Sequence, residues 1–359
     1  MIPYGRQSVD DDDIEAVVKV LRGDWLTQGP AVDAFEELLA ATVEARYAVA
    51  FANGTAALHA AAWAAGLGPG STLATSPLTF VASANCGHYV GADVSFVDLN
   101  ADTYNLDVTA VPAGLDALVA VHYAGLPVDL TALAHRPRVV IEDAAHAIGA
   151  RTADGPVGNC ARSDLCCFSF HPVKTITTAE GGAVTTNDEA LAERLRRFRH
   201  HGIEPRPDLG GWAYEVVEPG MNYRLTDVHA ALGASQLTKL DRFVARRNEL
   251  AGRYRELLAE LPVGLAPEGG ADVVHGRHLY PIHVPERRRV FEHLRGAGIG
   301  VQVHYVPVTH HPLYGNPAWS ARQFPVTEQV YGGLLSLPMF PSLTDEDQQH
   351  VVDVLREAL

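Results

Sequence analysis

The chain has 359 residues, 47% hydrophobic and 20% charged, with a formal net charge of -15 at pH 7. This is apolar content for two cored domains; the acidic balance, without a Lys/Arg-rich stripe, excludes a nucleic-acid backbone as partner. No apolar run reaches membrane-span length, and the spacing of Cys86, Cys160, Cys166 and Cys167 suits neither a zinc site nor a disulfide framework, so a cytoplasmic protein with reduced thiols is expected.

Asp10 to Asp13 precede Ile14, Val17, Val18 and Leu21, the pattern of a solvated acidic helix start. From about Tyr47 to Thr186 apolar strand-like runs alternate with helical patterns, which predicts an α/β domain with a mainly parallel sheet. Strands are expected at 48–51, 72–75, 94–97, 117–122, 138–141, 165–170 and 182–186, and an Ala-rich helix follows Asn53-Gly54-Thr55. Leu191 to Phe198 reads as helix, and Gly202 to Gly220 as a surface loop. The spacing from Thr226 to about Leu258 predicts one long amphipathic helix, with the domain boundary near it. The expected division is 1–240, a large domain with an N-terminal arm, and 241–359, a small α+β domain. In the latter, strands are expected at 278–284 and 301–306, and helices at 288–297 and 345–358.

Three segments carry chemistry. Lys174 follows an apolar strand and precedes Thr175, Thr177, Thr178 and the pair Gly181-Gly182. A half-buried amine there, with its pKa lowered by desolvation, would attack an aldehyde and form a Schiff base; a solvated loop lysine is the alternative. Asp143 ends a predicted parallel strand, where open α/β sheets bind ligands. It would hold a pyridine nitrogen protonated, or simply cap the next helix. Gly54 and Thr55 open a helix whose free N–H groups, with the outlying Ser169, suit a phosphate dianion. Phe80 would stack on a planar cofactor or belong to the core. The histidine pairs His200-His201 and His310-His311 are poorly spaced for joint ligation, and no metal is expected.

Gly54-Thr55, Thr79-Phe80-Val81-Ala82-Ser83, Glu142-Asp143-Ala144-Ala145-His146, Ser169 with Lys174, Glu180-Gly181-Gly182, Gly220-Met221-Asn222-Tyr223-Arg224-Leu225 and His304-Tyr305 together resemble the DegT/DnrJ/EryC1/StrS family of sugar aminotransferases. The resemblance covers nearly the whole chain. It implies the type I fold of aminotransferases dependent on pyridoxal 5'-phosphate (PLP), and a homodimer, or a dimer of dimers, with active sites shared between subunits. Lys174 would carry the cofactor and move protons, Asp143 would meet the pyridine nitrogen, His146 would sit beside the ring and Phe80 would stack on it. Gly54, Thr55 and Ser169 would bind the phosphate, with Asn222 reaching it from the neighbouring subunit. Arg224 would meet an anionic group of a substrate or brace the dimer. Tyr4, Leu26, Thr27, Gln28 and Gly29 at the start, and His304, Tyr305 and His311 near the end, are implied as substrate residues. The implied reaction moves an amino group from L-glutamate to C4 of a UDP-linked 4-keto-6-deoxy-N-acetylhexosamine. Alternatives are a dTDP-linked keto-deoxy sugar aminated at C3 or C4, a sugar dehydratase, in which histidine replaces the lysine, and a non-catalytic protein of the same fold.

Overall fold

A computed structural model of the chain describes residues 1–315 and 322–359. Strands β1 (Tyr47–Phe51), β2 (Thr72–Thr75), β3 (Asp93–Phe96), β4 (Ala117–Val121) and β5 (Val139–Asp143) are followed by a small hairpin, β6 (Arg151–Thr152) and β7 (Gly155–Pro156), then β8 (Leu165–Ser169) and β9 (Gly182–Thr186). Without the hairpin these form one seven-stranded sheet in the order β1-β9-β8-β5-β4-β2-β3. The β3-β2-β4-β5-β8 pairings are parallel, whereas β9 runs antiparallel to both β8 and β1. The mainly parallel α/β architecture is the one expected. β4 and β5 are buried throughout, as strands covered on both faces must be, and this explains their unbroken apolar runs. The helix Gly54–Ala64 is rich in alanine, and Ala56, Ala57, Ala60, Ala61 and Ala64 are all buried. Such small side chains let its backbone lie close to its neighbours.

A second core joins Phe35 and Leu39 to Phe168, Phe170, Ile176, Leu237 and Leu240. A third is built from Leu250, Tyr254, Tyr280, Ile282, Leu335, Val351 and Leu355, with Ile2 packed against it. Among the described residues no helix is long and apolar enough to cross a membrane.

The structure corrects four expectations. The run from Thr226 to Leu258 is two helices, Asp227–Leu237 and Leu240–Leu258. Lys239 leaves helical geometry between them (φ -108°, ψ 0°) and forms ion pairs with Asp10 and Asp13. The acidic start is therefore not wholly solvated: Asp13 is buried and accepts hydrogen bonds from Ser235 Oγ at 2.6 Å and Gln236 Nε2 at 2.7 Å. Within the expected loop 202–220 a two-stranded ribbon forms, β10 (Ile203–Pro205) with β11 (Tyr214–Val216). Finally, 301–306 is not a strand. β12 (Tyr280–His283) pairs with β13 (Leu334–Leu337), and Gln302 makes only an isolated bridge to Ser336.

Candidate active site

At the carboxyl ends of β5 and β8 lies a cavity of about 740 Å³, where open α/β sheets place their ligands. It is closed by the start of the helix Gly54–Ala64, by the 170–181 connection, and by His278, His304 and Tyr305 from later in the chain.

Lys174 stands in the connection between β8 and β9, which is stapled at both ends. Phe170 N–H donates to Gly181 O at 2.9 Å and Thr178 N–H to Phe170 O at 3.0 Å, while Thr177 Oγ1 donates to the same Phe170 carbonyl at 3.0 Å. Burial lowers the Lys174 ammonium to about 8, against the opposing pull of the Asp143 charge. At pH 7 about a tenth of this amine is then unprotonated, far more than for an ordinary lysine, and the unprotonated form is the one that attacks.

Asp143 ends β5 and lines the same cavity. Its Oδ2 accepts from Ser83 Oγ at 2.6 Å and its Oδ1 from Ala145 N–H at 3.1 Å. Thr79 Oγ1 lies 2.7 Å from Ser83 Oγ; Ser83 gives its single proton to the carboxylate, so Thr79 is the donor to Ser83. Glu142, one residue earlier, points to the other face of the strand. It bonds to Ser163 Oγ and, at 2.8 Å, to His122 Nε2. His122 Nδ1 accepts from Val128 N–H at 3.0 Å, so Nε2 carries the ring proton. Burial pushes the Glu142 carboxyl up, but the His122 and Ser163 contacts outweigh it and the net shift is downward.

Asn53 caps the helix Gly54–Ala64, its side chain accepting from Ala56 N–H at 2.8 Å. The N–H groups of Gly54 and Thr55 have no intrahelical partner and border the cavity beside Ser169. A Cβ on Gly54 would come within 2.8 Å of Ser169 Cβ, and one on Gly182 within 2.5 Å of Asn53 O. Only glycine lets this turn and the β8–β9 pair approach so closely.

Aromatic rings line another wall in a row. His278 and His146 have centroids 4.5 Å apart, His146 and Tyr305 6.0 Å, and Tyr305 and Phe80 6.0 Å. His146 Nε2 is 3.0 Å from Tyr305 Oη. Phe80 is 56% exposed, so it faces the cavity and is not core. Burial, and then the charge of Lys174, push His146 and His278 well below the ordinary histidine value and His304 down to about 4. Tyr4 packs against His304, with centroids 5.2 Å apart.

These features fit PLP. A helix N-terminus suits its phosphate, a lowered lysine its aldehyde, a fixed carboxylate its pyridine nitrogen, and an exposed phenyl ring its face.

Of the expected site residues, Tyr4, Gly54, Thr55, Phe80, Asp143, His146, Ser169, Lys174, His304 and Tyr305 meet in this cavity. Leu26, Thr27, Gln28, Gly29, Asn222, Arg224 and His311 do not. Gln28, Gly29 and Arg224 border a separate cavity of about 270 Å³ with Arg196, Arg199 and His200, and Arg224 Nη1 donates to His200 Nδ1 at 2.8 Å. Gly29 N–H donates to Asp227 at 2.8 Å, Thr27 bridges Thr226, and Asn222 bridges His200. Leu26, Asn222 and His311 are exposed. Sequence reasoning did not assign roles to Ser83 or His278. Ser83 had a partial signal, since it ends the motif Thr79-Phe80-Val81-Ala82-Ser83; His278 had none.

The DegT/DnrJ/EryC1/StrS aminotransferase family model matches residues 7–356. The spore coat polysaccharide biosynthesis protein SpsC of Bacillus subtilis is 35% identical over 99% of this chain and 96% of its own length. Helicobacter pylori PseC, an aminotransferase involved in the biosynthesis of pseudoaminic acid, superposes with a TM-score of 0.89 at 30% identity, over 99% of this chain and 98% of that one. Spr1654 from Streptococcus pneumoniae, solved in its PLP form, gives a TM-score of 0.91 at 26% identity, over 99% and 98%. The protein belongs to the DegT/DnrJ/EryC1/StrS aminotransferase family and is a PLP-dependent aminotransferase.

Proposed function

We propose that the enzyme transfers an amino group from L-glutamate to C4 of a UDP-linked 4-keto-6-deoxy-N-acetylhexosamine. The observation that carries the transfer is the meeting, in one cavity, of the Lys174 amine, lowered to about 8, with the anchored Asp143. The likeness to PseC supports the sugar. Bound here, PLP supplies an electron sink for the carbanion left when a Cα–H bond breaks. Lys174 Nζ takes the α-proton of glutamate and later returns a proton to C4 of the sugar. Asp143, held by Ser83, keeps the pyridine nitrogen protonated. Gly54, Thr55 and Ser169, on the wall of the same cavity, would hold the phosphate.

The residues outside the cavity support a homodimer with shared sites. Asn222 and Arg224 lie near the β10–β11 ribbon, whose Tyr214 and Val216 are exposed and whose connecting turn carries Trp212, 83% exposed, a surface suited to a second copy. Asn222 then completes the neighbour's phosphate site. The chain divides near residue 240, where Lys239 interrupts the helices, and a cytoplasmic location suits a soluble nucleotide-sugar substrate.

The test is turnover. Purified enzyme with PLP and L-glutamate should release one equivalent of 2-oxoglutarate per site, and addition of the UDP-4-keto sugar should make release continuous. Turnover with a dTDP-keto sugar alone would redirect the substrate; no release in either case would overturn the transfer reaction. Mixing Lys174→Ala with Asn222→Ala subunits checks the shared site: each heterodimer should regain one competent site of two.

A further inference from the structure

The small C-terminal part of the chain sends residues 275–279 back as a strap onto the cofactor pocket. His278 N–H donates to Ala124 O at 2.9 Å and Gly276 N–H to Gly125 O at 2.9 Å. Gly125 has φ +98°, and a Cβ there would lie 2.6 Å from His146 O and 2.8 Å from Arg277 N. A Cβ on Gly276 would lie 3.2 Å from both Ala147 Cα and His146 O. The strap therefore rests directly on the backbone that carries His146. From behind, the fully buried Arg247 donates through Nη1 to the carbonyls of Arg277 at 3.2 Å, His278 at 3.3 Å and Met339 at 3.0 Å. Asn248 Nδ2 adds a bond to His275 O at 2.9 Å. A buried cation held by these three carbonyls is costly unless those bonds are kept.

What the strap delivers is the His278 ring, which borders the cavity and packs on His146 at 4.5 Å with an interplanar angle of 44°. The Nδ1 atoms of both rings are buried without a hydrogen-bond partner among the described residues. His146 is thus held in the plane by one polar contact, Nε2 to Tyr305 Oη, and otherwise by packing. The χ2 torsion of histidine is broad and roughly two-fold, so one hydrogen bond does not fix the ring; Tyr305 stacks on it at 6.0 Å and His278 packs closer, at 4.5 Å.

We propose that His278 is a positioning residue of the cofactor site: its ring, delivered by the strap, holds the His146 imidazole in the plane from which it meets the PLP ring. The inference rests on PLP occupying this cavity with His146 beside its ring.

The test is a double-mutant cycle on the full-length enzyme. His278→Ala, His278→Phe and His146→Ala are made singly, and the His278 changes are repeated in the His146→Ala background. Three quantities are read: the PLP dissociation constant by absorbance titration, the pH midpoint of the Lys174-dependent cofactor band, and thermal unfolding of the apo form. His278→Ala should weaken PLP by about tenfold and move the midpoint, and His278→Phe should retain most of the affinity. His278→Ala should add nothing once His146 is gone, as coupled neighbours do. The proposal is overturned if His278→Ala keeps its full effect in the His146→Ala background, if Phe is as damaging as Ala, or if only thermal stability changes. Should His278→Ala not fold, His278→Asn takes its place with the same expected loss. Absence of a Lys174-dependent band in the wild type would instead sink the cofactor site itself.

Discussion

Ser83 Oγ lies 2.6 Å from Asp143 Oδ2, so the carboxylate that faces the cavity is fixed from a separate element, the helix Ala82–Tyr89. A hydrogen bond to a charged group contributes about 1.5–3 kcal/mol. Ser83→Ala should leave the fold intact and weaken PLP binding by roughly tenfold or more, measured by titrating apo enzyme with PLP. Unchanged affinity would show that Asp143 needs no such anchor.

Lys174 reacts only when deprotonated. The rate at which apo enzyme forms its near-visible band with PLP should therefore rise with pH through a midpoint near 8. The Asp143 charge raises this value, so Asp143→Asn should shift the midpoint downward. Stopped-flow traces across pH 6 to 10 give both midpoints, and an upward shift in the variant would refute the assigned electrostatics. Lys174→Ala should lose the band altogether.

Phe80 is largely exposed around the cavity, so it contributes little to folding. Phe80→Ala should leave the melting temperature of the apo protein within about a degree, yet weaken PLP several-fold, the scale of about 0.5–1.5 kcal/mol for a lost aromatic contact. Calorimetry of apo and PLP-bound protein separates the two effects; a large drop in apo stability would place Phe80 in the core after all.

Glu142 should behave in the opposite way. Glu142→Ala leaves His122 Nε2–H and Ser163 Oγ–H without their shared buried acceptor, a loss of about 3 kcal/mol in stability. The folded-state pKa of this carboxyl is depressed, so its contribution is present above its ordinary value and lost as pH falls through the lower folded value. Denaturant melts of wild type should weaken below about pH 4.5, and the variant should show a flatter profile over that range.

The sheet was legible because burial on both faces leaves apolar runs that few other structures explain. Lys174 and Asp143 were singled out by their places at predicted strand ends, where a loop lysine and a helix-capping aspartate stayed open, and the resemblance to the family gave them their roles. What escaped was decided by partners distant in sequence. The helix break at Lys239 depends on Asp10 and Asp13, more than two hundred residues earlier, and no local pattern announces it. β13 is four residues long, too short for its alternation to register. His278 acquires meaning only because the turn at Gly125 lets a strap lie against His146. Leu26 to Gly29, Asn222 and Arg224 lie outside the cavity of a single chain, and periodicity cannot report what a second chain would bring.

The reversal of β9 has one more consequence. Because it runs against β8, the chain enters the lysine-bearing connection and leaves it through adjacent strands, with Ser169 opposite Gly182 in register. The entropy of placing the amine is thus settled when the sheet forms, before any cofactor arrives. Preorganisation of this kind lets a small ligand retain more of its contact energy as affinity, and it makes the apo enzyme a ready receptor that need not fold around its cofactor.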